Sequence, residues 1–376
     1  MKFLFVVQGE GRGHFTQAIT LEEMLLRNGH EVVEVLVGKS SSRTLPGFFN
    51  RTIKAPVKRF ISPNFLPTQA NKRACLKKSL AYNMLRVPEY LRSMHYINQR
   101  IKDTGAEVVI NFYELLTGLT YLLFRPSVPY ICIGHQYLFL HKDFEFPRKS
   151  PAQLSMLRFF TRLTSMGAAK RLALSFVEME DDSESRVIVV PPLLRREVTS
   201  LQPEQENYIH GYMVNSGFSD SVHEFHHLHP RVPLHFFWDK SGADEVTEID
   251  ENLHFHQIDD VKFLNYMSAC KAYASTAGFE SICEAMYLGK PVLMVPAHIE
   301  QDCNAYDAQR AGAGVVADGF DIETLLRFSE DEYKPNTTFL YWARSSERLI
   351  INELETLTEI ESSVFTLPNF TKYLSI

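Results

Sequence analysis

The feature that most constrains the fold is a repeated alternation of short apolar runs with helix-like segments. The first series of runs comprises KFLFVVQG (2–9), EVVEVLVG (31–38), EVVINFY (107–113) and PYICIG (129–134). A second series comprises NYIHGYMVN (207–215), PLHFFWDK (233–240), LHFHQI (253–258), AYAST (272–276) and PVLMVP (291–296). Alternation of strands and helices implies right-handed crossovers and a parallel sheet. The sequence therefore predicts an α/β chain with two doubly wound parallel sheets.

The two series are separated by VVPPLLRREVTSLQPEQE (189–206), which holds three prolines and shows little periodicity, as interdomain connections do. We therefore predict an N-terminal Rossmann-like domain over 1–190, a linker over 191–206 and a C-terminal Rossmann-like domain over 207–354. The tail over 355–376 is either a helix that crosses back to the first domain or a loose end. Such domains place the carboxyl ends of both sheets on either side of a cleft, where α/β proteins bind ligands.

Composition is that of a soluble globular protein, because 45% of the residues are hydrophobic and 22% are charged. The opening MKFLFVV is too short for the apolar region of a signal peptide or for a membrane span. Five cysteines without a Cys-x-x-Cys pair indicate neither a disulfide framework nor a cysteine zinc site. These features favour a cytoplasmic protein.

The first glycine turn, GEGRGH, follows the first predicted strand and precedes a predicted helix. Gly9, Gly11 and Gly13 permit close backbone approach, and the N–H groups of the following helix attract anions. A tight strand-to-helix turn is the competing interpretation. His14 favours a functional one, since it stands at the cleft edge of the sheet, although a capping histidine is the alternative. The helix dipole disfavours its protonated form, and a neutral imidazole is suited to act as a general base.

A second turn, STAGFESICEA (275–285), has the same place in the second series, between a strand and a helix. Thr276, Gly278 and Ser281 offer hydroxyl and N–H donors for a phosphate. Glu284 lies one helical turn beyond Glu280, where a carboxylate can accept hydrogen bonds from the 2′- and 3′-hydroxyls of a ribose. For Glu284 taken alone, a solvated helix glutamate is the alternative.

This stretch resembles the donor-sugar signature of GT-B glycosyltransferases, both the H-C-G-W-N-S-x-x-E motif of the UDP-glycosyltransferases and the corresponding stretch of MurG. Gly278, Ser281 and Glu284 fall at the glycine, the serine and the ribose-binding glutamate of that signature. The closest pattern is that of an uncharacterised group of bacterial and archaeal glycosyltransferases with a T-A-G-F-E-S-x-x-E-A signature. The resemblance implies a GT-B fold, with two Rossmann-like domains facing each other across a cleft, and a nucleoside diphosphate sugar as donor.

The resemblance extends over both domains. Glu300 and Gln301 fall at the acidic-amide pair that binds hydroxyls of the transferred sugar, and Ile258 falls in the loop whose backbone recognises the base. His14 aligns with the histidine of the G-G-T-G-G-H opening of MurG. The residues that we assign to donor binding, from the resemblance and from the two turns, are Gly11, Gly13, Ser216, Gly217, Ile258, Thr276, Gly278, Ser281, Glu284, Glu300 and Gln301.

Two positions depart from the signature at the phosphates. Thr276 stands in place of the histidine that touches the donor phosphate, and Glu280 stands in place of an asparagine. A carboxylate close to a diphosphate would repel it, so Glu280 is expected to point elsewhere or to meet the acceptor. No Asp-x-Asp triplet occurs in the sequence, so we expect no metal ion and no other cofactor.

The resemblance assigns the catalytic base to His14. Phe112 stands where the family has the aspartate that orients this histidine, and Glu114 or Asn111 is the candidate substitute. His135, at the end of another strand, is a second candidate for the base or an acceptor contact. Retaining GT-B enzymes often show two glutamates separated by seven residues. Thr276 stands where the partner of Glu284 would be, and this departure favours inversion.

The acceptor side of the chain is basic. Residues 35–88 hold eleven basic and no acidic side chains, and residues 147–176 hold six basic and none acidic. A solvated charged face is one interpretation. The other is attraction to an anionic membrane surface, since apolar residues are interleaved with the charges. It predicts a cytoplasmic, peripheral protein that glycosylates a lipid-linked or cell-envelope acceptor.

The hypothesis is therefore a metal-independent, inverting glycosyltransferase that moves a sugar from a nucleoside diphosphate donor, with UDP favoured, to a hydroxyl acceptor. A nucleotide-sugar 2-epimerase of the same fold is the nearest alternative. A nucleotide-sugar binding protein without turnover is another, made plausible by the departures at the phosphates. Nucleic-acid binding would explain the basic stretch but neither glycine turn, and no nucleic-acid motif is present.

Overall fold

The computed structural model describes residues 1–39, 45–63, 83, 85–214, 216–240 and 242–357. Both predicted glycine turns fall inside these ranges. The predicted tail from residue 358 onward and several side chains of the predicted membrane-binding stretch lie outside the described residues: Arg43, Lys72, Arg73, Lys77 and Lys78.

Within the described part of the chain, the first seven strands form one parallel sheet. They are β1 (Lys2–Gln8), β2 (Glu31–Lys39), β3 (Val57–Ile61), β4 (Val108–Phe112), β5 (Tyr130–Ile133), β6 (Lys170–Leu174) and β7 (Val187–Val190). Their order is β3-β2-β1-β4-β5-β6-β7. β1 and β4 are buried on both faces, as parallel strands covered by helices must be. The strand order reverses between β1 and β4, which is where open α/β sheets bind ligands.

Helices cover both faces of this sheet. They are α1 (Arg12–Arg27), α2 (Gly47–Thr52), α3 (Val87–Asp103), α4 (Leu115–Phe124) and α5 (Pro151–Thr164), with a 3-10 segment at His135–Leu140. Alternate residues of β1 enter separate cores: Phe3 and Phe5 face one side, and Leu4 and Val6 face the other. The period of two along the strand therefore fixes which helices each side chain meets.

The second sheet also has seven strands among the described residues. They are β8 (Ile209–Met213), β9 (Leu234–Trp238), β10 (Val246–Glu248), β11 (Leu253–Gln257), β12 (Ala272–Ser275), β13 (Val292–Met294) and β14 (Gly314–Val316), in the order β10-β11-β9-β8-β12-β13-β14. Only the edge strand β10 is antiparallel to its neighbour. The two sheets confirm the predicted α/β fold class. The predicted linker lies between β7 and β8 and includes a short helix, α6 (Arg196–Ser200).

The helices of the second half are α7 (Ser219–Leu228), α8 (Asp260–Ala269), α9 (Phe279–Tyr287), α10 (Ile299–Arg310), α11 (Ile322–Asp331), α12 (Thr337–Arg344) and α13 (Ser346–Glu355). The last two contact the first half. Nε1 of Trp342 donates to the Ser175 carbonyl at 3.0 Å, and Nζ of Lys170 pairs with Glu353 at 2.8 Å. The chain therefore returns to the first half in α12 and α13, and α13 ends at Glu355, the first residue of the predicted tail.

None of the helices in the described ranges is both long enough and apolar enough to cross a membrane.

Candidate active site

A cleft of about 280 Å³ lies between the carboxyl edges of the two sheets. The turn after β1 and the start of α1 form one wall, and the starts of α9 and α10 form the other. The predicted site residues that line the cleft are Gly11, Gly13, His14, Ile258, Gly278, Ser281, Glu284, Glu300 and Gln301. The structure thus brings most of the predicted site together from both halves of the sequence.

His14 lies in the first turn of α1, on the N-terminal wall. This helix begins after Gly11, whose backbone is extended, and no acidic residue stands in its first turn. Nδ1 of His14 is 3.4 Å from Oε1 of Gln17, and the imidazole stacks on Tyr113 at 5.9 Å between ring centroids. Burial lowers the pKa of His14, while the charge of Glu300 opposes this effect. The imidazole is therefore neutral near pH 7, as a general base must be.

Glu280 contacts the opposite wall of the cleft. It stands in the first turn of α9, and its Oε1 accepts a hydrogen bond from Nε2 of Gln17 on α1. A β-carbon at position 13 would overlap this carboxylate, so Gly13 leaves space for the approach. Burial raises the pKa of Glu280 to about 7. The departure from the signature at position 280 therefore makes a contact between the two domains.

Glu284 forms an ion pair with Arg195 of the predicted linker. Nε and Nη2 of Arg195 both lie 2.7 Å from Oε1 of Glu284. Burial raises the pKa of Glu284, and the guanidinium acts in the opposite direction. Both residues line the cleft, so the predicted ribose-binding carboxylate is held in place by a cation at its edge.

Glu300 and Gln301 begin α10 on the same wall. Oε1 of Glu300 accepts from Nε2 of Gln136 at 3.0 Å, which adds a further contact between the domains. Oε1 of Gln301 accepts from the backbone N–H of Ala297 at 2.8 Å, and this bond fixes the turn before the helix. Asn304, one turn on, donates to the carbonyl of Ala277 at 3.3 Å.

Thr276, Ser216 and Gly217 are not among the residues that line the cleft. Thr276 is buried, and its Oγ1 accepts from the N–H of Val214 at 3.1 Å, which joins the ends of β12 and β8. Ser216 and Gly217 form a 3-10 turn after β8. The structure therefore does not place these three predicted phosphate contacts at the cleft. Ile258 does line it, and its N–H donates to the carbonyl of Trp238 at 3.2 Å.

Glu114 and Asn111 were predicted to orient His14, and the structure gives both another role. The Glu114 carboxylate accepts from Oγ of Ser62 at 2.6 Å and from the N–H of Leu116 at 3.1 Å, and it caps α4. Asn111 donates to a carbonyl of the α5 end at 2.8 Å. The group that contacts Nδ1 of His14 is instead Gln17. Glu114 does follow β4 as predicted, but it does not contact His14 because its side chain turns back to cap its own helix.

His135 lies behind the cleft wall and is not among its lining residues. Its Nδ1 is 2.8 Å from the Leu174 carbonyl, and its ring stacks on Phe279 at 4.1 Å. Burial lowers the pKa of His135 to about 4. The structure therefore gives this second candidate base a packing role between the two halves.

The sequence reasoning did not single out Gln17, Arg12 or Arg195. Arg12 lines the cleft with its guanidinium 4.9 Å from the ring centroid of Phe48. Two of these residues could have been found from the sequence, because Arg12 is a cation inside the glycine turn and Gln17 is an amide three residues after His14. The position of Arg195 in the linker gave no such signal. In the part of the chain that the structure describes, no group of three or more His, Cys, Asp or Glu side chains is arranged to hold a metal ion.

Two parallel Rossmann-like sheets that face each other across a cleft, with helix N-termini on both walls, define the GT-B class of glycosyltransferases. The chain belongs to glycosyl transferase family 1, whose model matches residues 1–330. It is therefore a glycosyltransferase, and the predicted family is confirmed.

Solved structures show the same fold along nearly the whole chain. The glycotransferase of kitacinnamycin aligns with a TM-score of 0.64 at 15% identity, over 94% of this chain and 98% of that one. CalG4, the calicheamicin glycosyltransferase, aligns with a TM-score of 0.63 at 14% identity, over 96% and 99%. UGT89C1 of Arabidopsis thaliana, complexed with UDP-L-rhamnose, aligns with a TM-score of 0.62 at 13% identity, over 94% and 98%. No curated protein matches the chain.

Proposed function

We propose that this glycosyltransferase moves a sugar from a UDP-sugar to a hydroxyl acceptor, with inversion and without a metal ion, and that His14 is the general base. The observation that carries the proposal is the shared cleft. His14 lines one wall, and Gly278 and Glu284, where the donor signature has its phosphate and ribose contacts, line the other. UGT89C1, which has the same fold, is complexed with UDP-L-rhamnose, and this favours uridine as the base.

In the proposed step, Nε2 of His14 takes the proton of the acceptor hydroxyl while the acceptor oxygen attacks the anomeric carbon. The bond from that carbon to the diphosphate oxygen breaks, and its electron pair leaves with UDP. Attack opposite the leaving group inverts the anomeric configuration. The N-terminus of α9, where Gly278 provides no side-chain cap, and the guanidinium groups of Arg12 and Arg195 would offset the charge on the leaving diphosphate.

A second cavity, of about 360 Å³, supports an acceptor with an apolar body. It lies in the N-terminal half, and Glu10 lines both this cavity and the cleft. Its wall is mostly apolar and includes Val87, Tyr90, Met94, Leu116, Leu119 and Phe160. An apolar aglycone or the first units of a lipid carrier would bury against these side chains, with the reacting hydroxyl directed toward the cleft.

We also propose that the acceptor is lipid-linked, or a glycan of the cell envelope, and that α3, α4 and α5 approach a membrane. These three neighbouring helices expose large apolar side chains, namely Leu91, Leu123, Phe124, Met156 and Phe159. Arg92 and Arg162 are exposed on the same helices. Apolar groups flanked by cations fit the interface of an anionic bilayer, and such a surface would place the protein at the inner face of the plasma membrane.

Thermal unfolding with UDP, GDP, dTDP and CMP and their common sugars tests the donor. A nucleotide at about 100 times its Kd stabilises the folded chain by ~2.7 kcal/mol, which raises the melting temperature measurably. Stabilisation by uridine nucleotides alone supports the donor assignment. Equal stabilisation by all of them, or none by any, argues against it.

Turnover of the UDP-sugar that binds best tests the base and the mechanism. His14→Ala is expected to lower kcat by about 100-fold or more, whereas His227→Ala, at an exposed histidine, is the matched control. Activity should survive EDTA, and NMR of the product should show an inverted anomeric centre. Interconversion of the UDP-sugar without acceptor would identify a 2-epimerase, and binding without any turnover would identify a nucleotide-sugar binding protein.

Co-sedimentation with vesicles tests the membrane proposal. Vesicles that contain an anionic phospholipid are expected to retain the protein, and vesicles of zwitterionic lipid are not. The double variant Met156→Ser and Phe159→Ser should reduce retention while donor binding stays unchanged. Equal retention of the variant and the parent chain would contradict the role of these helices.

A further inference from the structure

We propose that Gln17 and Glu280 form a hydrogen-bonded relay that positions His14, so that the C-terminal domain completes the catalytic base of the N-terminal domain. Gln17 and Glu280 are positioning residues in this scheme, because they act through His14, which takes the proton of the acceptor hydroxyl. The inference rests on the proposed role of His14 as general base.

The relay is a continuous chain of three side chains, of which His14 and Gln17 are buried and Glu280 is half-buried at the cleft. Gln17 lies one turn after His14 on α1, and 1% of its surface is exposed. Its Oε1 faces Nδ1 of His14 at 3.4 Å, and its Nε2 donates to Oε1 of Glu280 on α9. Burial of an amide without hydrogen-bond partners carries a desolvation penalty, so a buried amide needs such partners. An apolar side chain would fill the same space without this penalty. Packing alone therefore does not account for glutamine at this position.

The direction of each hydrogen bond in the relay follows from the carboxylate at its end. An ionised Glu280 can only accept, so the NH₂ group of Gln17 must face it. Oε1 of Gln17 then faces His14 and accepts, which requires the proton of the imidazole to reside on Nδ1. Nε2 of His14 is left with a lone pair, as proton abstraction from an acceptor hydroxyl demands. The relay thus selects the productive tautomer, which an aspartate does in the related enzymes.

The space around Glu280 is arranged for this contact. Gly13 lies against the Glu280 carboxylate, which a β-carbon at that position would overlap. The other charged or titratable groups that act on Glu280 and His14 are Glu284 on α9 and Glu300 on α10. Glu284 is already paired with Arg195, and Glu300 accepts from Gln136. Glu280 is therefore the carboxylate that meets the amide of Gln17.

Steady-state kinetics of four variants, assayed at about pH 8.5 where Glu280 is ionised, test the relay. Gln17→Met and Glu280→Met keep the shape of the side chains and remove the hydrogen bonds. Each is expected to lower kcat by about 10- to 100-fold, by analogy with other groups that orient a ligand or base, while KM for the donor changes less than about threefold. The double variant should be no slower than either single variant, because both act through one chain of bonds.

Glu280→Gln is the conservative variant, since its amide oxygen still accepts from Gln17, and it should retain kcat within about threefold. Gln99→Met, at an exposed position of α3, is the control for the substitution itself. A kcat for Gln17→Met close to that of the parent chain, or losses that multiply in the double variant, would overturn the relay. Because folding can fail, the ¹⁵N shifts of labelled His14 provide a second test: the parent chain should show the Nδ1–H tautomer, and Gln17→Met should not.

The outcome for His14→Ala separates this inference from the proposed function. Loss of activity in His14→Ala together with full activity in Gln17→Met would support His14 as the base and contradict the relay. Full activity in His14→Ala would contradict the role of His14 as the base, and the relay proposal would fail with it.

Discussion

Removal of the Glu284 carboxylate tests both the ion pair and the ribose assignment. The side chains of Glu284 and Arg195 are 4% and 16% exposed, and both guanidinium contacts measure 2.7 Å. Loss of one partner from a buried pair destabilises a protein by about 3–5 kcal/mol, because the other charge stays buried and unpaired. Arg195 retains some access to the cleft, so we expect about 3 kcal/mol for Glu284→Gln.

This free energy is measurable by thermal unfolding and by urea titration. For a unit of about 150–250 residues, 1 kcal/mol lowers the melting temperature by ~2–4 °C, so Glu284→Gln should lower it by about 6 °C or more. Arg195→Met completes a double-mutant cycle. The double variant should be less destabilised than the sum of the two single variants, with a coupling energy of about 2–3 kcal/mol.

The same variant should bind UDP more weakly. Hydrogen bonds from ribose hydroxyls to a carboxylate contribute about 1.5–3 kcal/mol, which corresponds to a ~10- to 100-fold increase in Kd by calorimetry. Glu323→Gln, at an exposed position of α11, is the control and should change neither quantity. A destabilisation of Glu284→Gln below about 0.5 kcal/mol would refute the buried pair. An unchanged Kd would refute the ribose assignment, whatever the stability.

Three further predictions concern residues at the contact between the two halves of the chain. Burial raises the pKa of Glu280 from 4.5 to about 7, so between these pH values the folded chain holds a proton that the unfolded chain has released. The free energy of unfolding of the parent chain therefore falls as the pH rises from about 5 to about 8. In urea unfolding, Glu280→Gln should gain up to ~3 kcal/mol of stability relative to the parent chain over this range. Gly13→Ala should push the Glu280 carboxylate away from Gln17 and lower kcat about 10-fold, and an unchanged kcat would contradict the close approach. His135→Phe should keep kcat within about threefold but lose about 1–2 kcal/mol of stability with its bond to Leu174, and a dead enzyme that still folds would restore His135 as a base.

Sequence patterns predicted the parts of the site that are local. The turn after β1 and the turn after β12 each join a strand to a helix within a few residues, so strand and helix signals fix the position of His14 and Gly278 at the sheet edges. Both sheets reverse their strand order at these turns, which is why the two motifs meet in one cleft. No tertiary information beyond the alternation of strands and helices was needed.

The parts that sequence patterns could not predict depend on how the two halves pack. Gln17 and Glu280 are 263 positions apart, and Arg195 and Glu284 are 89 apart; no local periodicity relates either pair. Glu114 shows the opposite limit. Its place at the end of β4 was predicted, but its side chain turned to its own helix because a carboxylate at an N-cap satisfies a free N–H. Position along the chain therefore predicted which residues lie at the carboxyl edge of a sheet, whereas the direction of their side chains could be learned only from the structure.

The cleft is lined by four glutamates, Glu10, Glu280, Glu284 and Glu300, and by Asp260, which is at first sight a poor place for a diphosphate. The three glutamates on the C-terminal wall, however, each have a partner: Glu284 has Arg195, Glu300 has the amide of Gln136 and Glu280 has the amide of Gln17. Two of these partners come from the N-terminal half, so those carboxylates are drawn toward the N-terminal wall. The first turn of α1 carries no acidic residue, and its dipole further stabilises negative charge there. The start of α9, where we propose that the donor phosphates bind, has no side-chain cap. The hydrogen bonds that Glu280 and Glu300 make to the N-terminal half also hold the two domains together next to His14.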